Sequence, residues 1–292
     1  MINLKITDVR VNPGDSAFLI DDGKTSIMYD SGFAFTGYAV ADKIKEQLGD
    51  RKLDYIFLTH SHYDHALGSV YALEYWPEAK VVAGEYASKI FAKPTAKSVM
   101  RDLDRKHAEE CGVYEYEDLI NNLKVDIPVN DGDVINVGDM KFTAVSLPGH
   151  TKCSMGFYLE ENKLLLGCET IGVSDGGEMV FPSYLVGYEM TLDSIDKVQK
   201  LDIENILIPH IGLFDKDQTK TYLKNSRICT VMTAEKVLGI LKNGGGYEEA
   251  EKYIIDTFYR GHMKEIYPVN ALKLNTGIMV KLIEKELLLE FE

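Results

Sequence analysis

Thr59-His60-Ser61-His62-Tyr63-Asp64-His65 comes directly after the apolar run Tyr55-Ile56-Phe57-Leu58. The run reads as a buried strand, and the residues after it as the loop at its C-terminal end. Loops held at strand ends by a rigid sheet are where sites are commonly built. Three imidazoles and a carboxylate fall between His60 and His65, a donor mixture that suits a divalent ion such as zinc, iron or manganese. The chain has 7 histidines in 292 residues, so composition does not account for three in one such window. A histidine-rich surface tract would be equally crowded. It would not follow a buried strand, nor have matching partners downstream.

Such partners exist. His150 lies in Leu147-Pro148-Gly149-His150-Thr151, after the strand-like Lys141-Phe142-Thr143-Ala144-Val145. Glu169 closes Leu164-Leu165-Leu166-Gly167-Cys168-Glu169, and His210 closes Ile206-Leu207-Ile208-Pro209-His210. Four separate apolar strands each end in a ligand-type residue.

On these residues the chain resembles the metallo-β-lactamase superfamily of dinuclear metallohydrolases. The His-x-His-x-Asp-His motif stands at His60, His62, Asp64 and His65, followed by Pro-Gly-His-Thr at His150 and a final His210. Asp30-Ser31-Gly32 is similar to the family's early Asp-x-Gly element, and order and spacing agree from about residue 15 to 215. The resemblance implies that His60, His62 and His150 hold one metal and that Asp64, His65 and His210 hold a second. It makes Asp30 an outer residue that orients a ligand histidine or a metal-bound water. The family's bridging carboxylate is usually aspartate, whereas Glu169 stands at this position. Glutamate is one methylene longer, which leaves three roles open: bridging from a shifted backbone, binding one metal alone, or changing metal preference.

Two ions of this kind lower the pKa of a shared water toward ~7 and clamp both sides of the bond being broken. Asp64 would position that nucleophile or carry its proton. The expected cofactors are therefore two divalent ions, zinc first, with iron or manganese as alternatives. No Gly-x-Ser-x-Gly elbow or Walker-type loop offers a competing chemistry.

Hydrophobic residues make up 45% and charged residues 27% of the chain, as in ordinary globular proteins. Net charge is −14, from 32 basic and 46 acidic residues, which argues against a nucleic-acid partner. No secretory leader or membrane-spanning run is read in the sequence. The four cysteines, Cys111, Cys153, Cys168 and Cys229, lack C-x-x-C spacing and read as reduced thiols. Cys168 reads as a small buried residue. A cytoplasmic location is expected.

The element pattern is mixed α/β, and the resemblance implies a four-layer αββα sandwich. Strands are expected over 3–10, 16–21, 24–30, 55–59, 80–83, 125–128, 133–137, 140–147, 154–160, 163–168 and 204–208. Helices are expected over 38–48, 84–92 and 190–200. Residues 95–122 read as helix-like, inside an insertion at about 93–124. A metallo-β-lactamase-like catalytic domain is expected over 1–215. Residues 216–292 form a C-terminal helical region, with helices at 217–242, 247–260 and 264–287. That region packs on the catalytic domain, caps it, or forms a homodimer interface.

Candidate substrate contacts are Tyr63 inside the motif, Tyr184 and Tyr188 in an aromatic loop, and His262 in the helical region. His107, in a charged helix, is expected at the surface. The expected function is hydrolysis of an ester-type bond of a small molecule: thioester, lactone, carboxylic ester or phosphoester. A β-lactam or nucleic-acid substrate fits less well. Two alternatives are a di-iron redox protein related to the flavodiiron reductases, or a metal-bound binding or regulatory protein with weak turnover. The flavodiiron relatives carry glutamate where His62 stands and add a flavin domain, and no flavodoxin-like extension is expected here.

Overall fold

The computed structural model describes residues 1–288 and forms two compact units. One comprises Met1–Ser146 with Met155–Leu166; the other comprises Leu147–Ser154 and the chain from Gly167 onward. The architecture is mixed α/β with helices at its C-terminal end, as expected.

In the first unit, β1 (Lys5–Asp8), β2 (Phe18–Asp21), β3 (Ser26–Tyr29), β4 (Tyr55–Leu58), β5 (Lys80–Gly84) and β6 (Ile127–Val129) form one sheet in chain order. The β1–β2 and β2–β3 pairs are antiparallel and the rest parallel. β3 and β4 are almost wholly buried, as strands covered on both faces must be, which is why both read as unbroken apolar runs. β7 (Val134–Val137), β8 (Met140–Ser146), β9 (Met155–Leu159) and β10 (Leu164–Leu166) form antiparallel ladders. Phe57 of β4 packs on Phe142 of β8 and Phe157 of β9, with ring centroids 5.3 and 4.6 Å away, so the two sets of strands face each other over an aromatic core. Burying three such rings contributes several kcal/mol.

Helix α1 (Gly37–Leu48) buries Val40, Ala41, Ile44 and Leu48, spaced to line one helical stripe. The short α2 (Tyr63–Ala66) carries the last residues of the motif, Asp64 and His65, and α3 (Ser69–Tyr75) follows it; neither was expected. Gly68, between them, has no room for a side chain, because a Cβ there would stand 1.7 Å from the Ser31 carbonyl oxygen. After α4 (Glu85–Phe91), α5 runs from Pro94 to Glu110. The helix-like reading of 95–122 is therefore too long. Gly112 turns the chain at φ +79°, and residues 113–119 return along α5. Tyr116 and Asp118 hold that return by bonding Asp104 and Arg101.

Asp104 anchors this insertion. It has no exposed surface and accepts hydrogen bonds from the Ala34 N–H (2.8 Å) and the Tyr116 hydroxyl (2.6 Å). Burial pushes its carboxyl up to about 6, although both hydrogen bonds pull the other way. A carboxylate raised above its unfolded value of 3.8 destabilises the fold while ionised. Lowering the pH through about 6 protonates the folded state first, so stability rises until about pH 4. The gap corresponds to at most about 3 kcal/mol. Between pH 7 and 4.5 the melting temperature of the wild type is expected to climb relative to Asp104→Asn. A difference independent of pH contradicts this account.

The second unit holds the hairpin β11 (Val173–Ser174) and β12 (Val180–Phe181), helix α6 (Tyr188–Val198), and the hairpin β13 (Asn205–Ile208) and β14 (Gly212–Phe214). Helix α7 (Lys216–Lys242) starts with a capping box, in which Asp215 accepts from the Gln218 N–H and Gln218 accepts from the Asp215 N–H. Helix α8 (Tyr247–Phe258) begins right after the Asn243–Gly246 stop. The single helix expected over 264–287 is broken into α9 (Met263–Ile266) and α10 (Val269–Ile283), followed by a π turn at Glu284–Leu288. Pro268 causes the break: it has no N–H to donate, and it disfavours helical geometry at Tyr267, which is extended at ψ 111°. Phe181 packs on Phe258 and Tyr267, tying β12 to these helices. No helix among the described residues is long and apolar enough to cross a membrane. Cys153, Cys168 and Cys229 are buried, and Cys111 is exposed.

Candidate metal centre

In the first unit β4 delivers Thr59 and the motif. His60 and His65 are fully buried, while His62 and Asp64 are half-buried. The His60 ring centroid lies 4.6 Å from that of His62 and 4.1 Å from that of His65, and His65 Nε2 lies 3.5 Å from Asp64 Oδ2. Behind them sits Asp30, with no exposed surface. It accepts from the Thr59 N–H (2.8 Å), the Thr59 hydroxyl (3.0 Å), the Ser16 hydroxyl (2.9 Å) and His65 Nδ1 (2.7 Å). Its backbone is left-handed, at φ +49°, a conformation that aspartate tolerates better than most residues.

These bonds settle the tautomers. His65 Nδ1–H donates to Asp30, so Nε2 is the atom presented, 3.5 Å from Asp64 Oδ2. The Thr59 hydroxyl donates to Asp30, so its oxygen accepts from His60 Nδ1, 2.9 Å away. His60 therefore also presents Nε2. Fixing the far nitrogen of a ligand imidazole in this way is the usual companion of a metal site.

In the second unit three separate elements deliver three donors. His150 follows Gly149 in the loop before β9, Glu169 opens the turn after β10, and His210 sits in the tight turn between β13 and β14 at φ +63°. All three are nearly fully buried. His150 Nδ1 donates to the Ser183 carbonyl (2.9 Å), so Nε2 is again the presented atom. That Nε2 stands 2.8 Å from Glu169 Oε2, and His210 Nε2 stands 3.8 Å from Glu169 Oε1.

The donor chemistry fits a metal. An Nε2 lone pair held 2.8 Å from a carboxylate oxygen repels it unless a proton or a cation is shared between them. Two donors about 2.0–2.1 Å from one tetrahedral ion stand about 3.3 Å apart. The His150–Glu169 and His65–Asp64 separations bracket that value. The chain thus carries His/Asp/Glu clusters compatible with a dinuclear metal site.

The other candidates fare differently. Tyr63 is half-buried, with its ring 5.6 Å from Phe33. Tyr184 is fully buried and its hydroxyl has no partner, so a direct substrate contact would require this loop to open. Tyr188 packs edge-on against it at 5.7 Å. His262 pairs with Glu265 (3.2 Å), and its N–H bonds the Asp175 carbonyl; neither partner is a ligand. His107 is not at the surface as expected: its side chain is 12% exposed and packs 4.7 Å from the Phe33 ring. Thr59 and Ser183 were missed. Thr59 has a sequence signal, since a hydroxyl directly precedes the motif. Ser183 has little: its carbonyl and its hydroxyl both lie 2.9 Å from His150 Nδ1, but it stands 33 residues away in the chain.

The metallo-beta-lactamase superfamily profile matches residues 14–210. Among curated proteins, the chain is 28% identical over 151 residues to hydroxyacylglutathione hydrolase of Francisella tularensis, covering 52% of this chain and 46% of that one. It is 22% identical over 182 residues to acyl-coenzyme A thioesterase MBLAC2 of Gallus gallus, covering 59% and 62%. The chain spans about half the length of the curated relatives it matches. Among solved structures, a metallo-beta-lactamase family protein of Thermus thermophilus shares the fold, with a TM-score of 0.63 and 17% identity over 97% of this chain and 93% of that one. A flavo di-iron protein of Thermotoga maritima aligns with a TM-score of 0.52 and 17% identity, over 76% of this chain and 52% of that one. With the motifs, the donor chemistry and the profile in agreement over two thirds of its length, the chain belongs to the metallo-beta-lactamase superfamily.

Proposed function

We propose that the protein is a metal-dependent hydrolase of small-molecule esters, with thioesters as the first substrate class. In this reading the two donor clusters act as one dinuclear centre. His60, His62 and His150 hold one ion, Asp64, His65 and His210 hold the other, and Glu169 supplies the further carboxylate in the bridging position. The observation that carries the reading is that the Nε2 atoms of His65, His150 and His210 face carboxylates, while His65, His60 and His150 are held from behind by Asp30, Thr59 and Ser183. Relatives that include an acyl-coenzyme A thioesterase favour the thioester class.

The ions, when bound, supply a hydroxide at neutral pH and polarise the acyl oxygen. The chain's own residues do the rest. Asp64, half-buried in the first turn of α2, accepts and relays the proton of the attacking water. Asp30 keeps His65, and through Thr59 also His60, in the metal-binding tautomer. Burial of five of the seven donors strengthens each electrostatic interaction at the centre. Zinc is the proposed metal. A cytoplasmic location and a small-molecule partner, rather than a nucleic acid or a membrane, belong to the same proposal.

The test is turnover of a panel of thioesters, lactones, carboxylic esters and phosphodiesters, before and after chelation and after zinc or manganese is restored. The expected result is thioester hydrolysis that chelation abolishes and metal restores. Turnover that survives complete metal removal overturns the reading. Two irons per chain with rapid oxygen uptake and no ester turnover would assign the centre to redox chemistry instead.

A further inference from the structure

Glu169 and His210 come from different loops, yet one helix of their own unit touches both. Thr219, Tyr222 and Ser226 stand three and four residues apart in α7, so they share one face, and all three are buried. The Tyr222 hydroxyl donates to the Gly172 carbonyl (2.6 Å), and the Ser226 hydroxyl donates to the Ile171 carbonyl. Both carbonyls belong to the turn that Glu169 opens, in which the Ile171 and Gly172 N–H groups bond back to the Cys168 and Glu169 carbonyls. β12 bounds the same turn. Gly172, at φ +103°, lies so close to it that a Cβ would stand 2.5 Å from Val180 Cγ1. A shift of the turn toward β12 meets packed atoms, and a shift away from α7 breaks both hydroxyl bonds.

The same face of α7 reaches the hairpin that carries His210. The Tyr222 ring packs edge-on against Phe214, with centroids 5.5 Å apart, and the Thr219 hydroxyl donates to the Phe214 carbonyl (3.3 Å). Phe214 of β14 pairs with Ile206 of β13, and His210 sits in the turn between these strands in a left-handed conformation that few residues adopt without support. Tyr222 thus joins the two loops: its hydroxyl holds one and its ring holds the other. Burial, with Cys168 and Glu169 nearby, pushes its phenol well above the ordinary value, so it stays a proton donor. The His150 loop is held from a different helix, through the Ser194 hydroxyl of α6 on the Pro148 carbonyl (2.6 Å).

We propose that Tyr222 is a positioning residue that sets the spacing between Glu169 and His210, with Ser226 and Thr219 as its supports on α7. The C-terminal helical region then serves the metal centre by fixing where its carboxylate stands, 3.8 Å from His210 Nε2. The consequence for metal holding rests on the two-ion reading of the site; the placement of Glu169 does not.

The experiment uses the full chain with zinc as the probe. Zinc affinity is read by competition with a chromophoric chelator. Ring-nitrogen NMR of labelled histidines and the melting temperature are read on the metal-free protein. Tyr222→Phe keeps the ring against Phe214 and deletes only the donor. It is expected to hold its more weakly bound zinc about tenfold less tightly, as when an outer partner of a ligand is lost. Without metal, the ring resonances of His150 and His210, the two imidazoles that face Glu169, are expected to move, while that of His107 stays. Ser226→Ala is expected to act in the same direction more weakly, and it serves if the phenylalanine variant does not fold. A purely structural role for the hydroxyl lowers the metal-free melting temperature and leaves zinc affinity and the two rings as in the wild type; that result overturns the proposal. A wild-type chain that takes up no zinc sinks the hydrolase reading instead. The histidine resonances, read without metal, then decide the positioning role by themselves: moved rings support it and unmoved rings overturn it.

Discussion

Asp30→Ala is expected to lower stability by about 3–5 kcal/mol and to abolish hydrolysis. Four donor groups converge on this carboxylate: the Ser16 hydroxyl, the Thr59 N–H, the Thr59 hydroxyl and His65 Nδ1. Removing it strands them where water does not reach, and each buried unsatisfied donor costs about 1–3 kcal/mol. Alanine also tolerates the left-handed backbone at φ +49° less well than aspartate, by about 1 kcal/mol. Asp30→Asn separates the two effects. Asparagine accepts the left-handed backbone and most of the hydrogen bonds. It loses the charge, and it has only one acceptor oxygen for the Thr59–His65 side of the network. Its stability loss is expected to be less than half that of alanine, while activity falls by about 10- to 100-fold, the usual effect of losing an outer partner of a metal ligand. Chemical denaturation and steady-state rates measure the two. Wild-type stability in the alanine variant would show that this network does not hold the motif.

Glu169→Ala is the second large effect. Glu169 is the carboxylate that both His150 and His210 face, at 2.8 and 3.8 Å. Without it, two buried imidazoles remain with no negative charge to offset a divalent cation. Metal content is expected to fall to one ion per chain or fewer, and turnover to background. The fold is expected to persist, because the side chain supports donors rather than the apolar core. Glu169→Asp keeps the charge but withdraws it by one methylene, and it is expected to retain metal with reduced activity. Elemental analysis of the dialysed variants reads this directly. Two tightly held ions in Glu169→Ala would remove Glu169 from the ligand set.

Much of this site is legible in the sequence, because a metal centre needs particular atoms at particular strand ends. The His60–His65 window, His150, Glu169 and His210 each follow an apolar strand, and the structure places each at such an end or in the turn just beyond it. The end of the helix expected over 217–242 was also legible, because the glycines at 244–246 follow it. What escaped depended on tertiary context. Residues 113–119 look helical by composition, but Tyr116 and Asp118 gain more by bonding Asp104 and Arg101 than by extending α5. His107 sits among charged residues yet turns its ring onto Phe33. Tyr184 reads as a pocket residue but is sealed against Tyr188. Glu286, distant in sequence from Tyr188, caps α6 through backbone donors that carry no side-chain signature. The short β11–β12 hairpin lies within a glycine-rich stretch with no apolar alternation to reveal it.

The most direct test of the two-ion centre is anomalous diffraction from crystals of the zinc-loaded protein, collected on both sides of the zinc absorption edge. The account predicts two peaks per chain, one within bonding distance of His60, His62 and His150, the other of Asp64, His65 and His210, with Glu169 bonded to at least one. Well-ordered imidazoles with no peak among them, or zinc bound elsewhere on the chain, would contradict it.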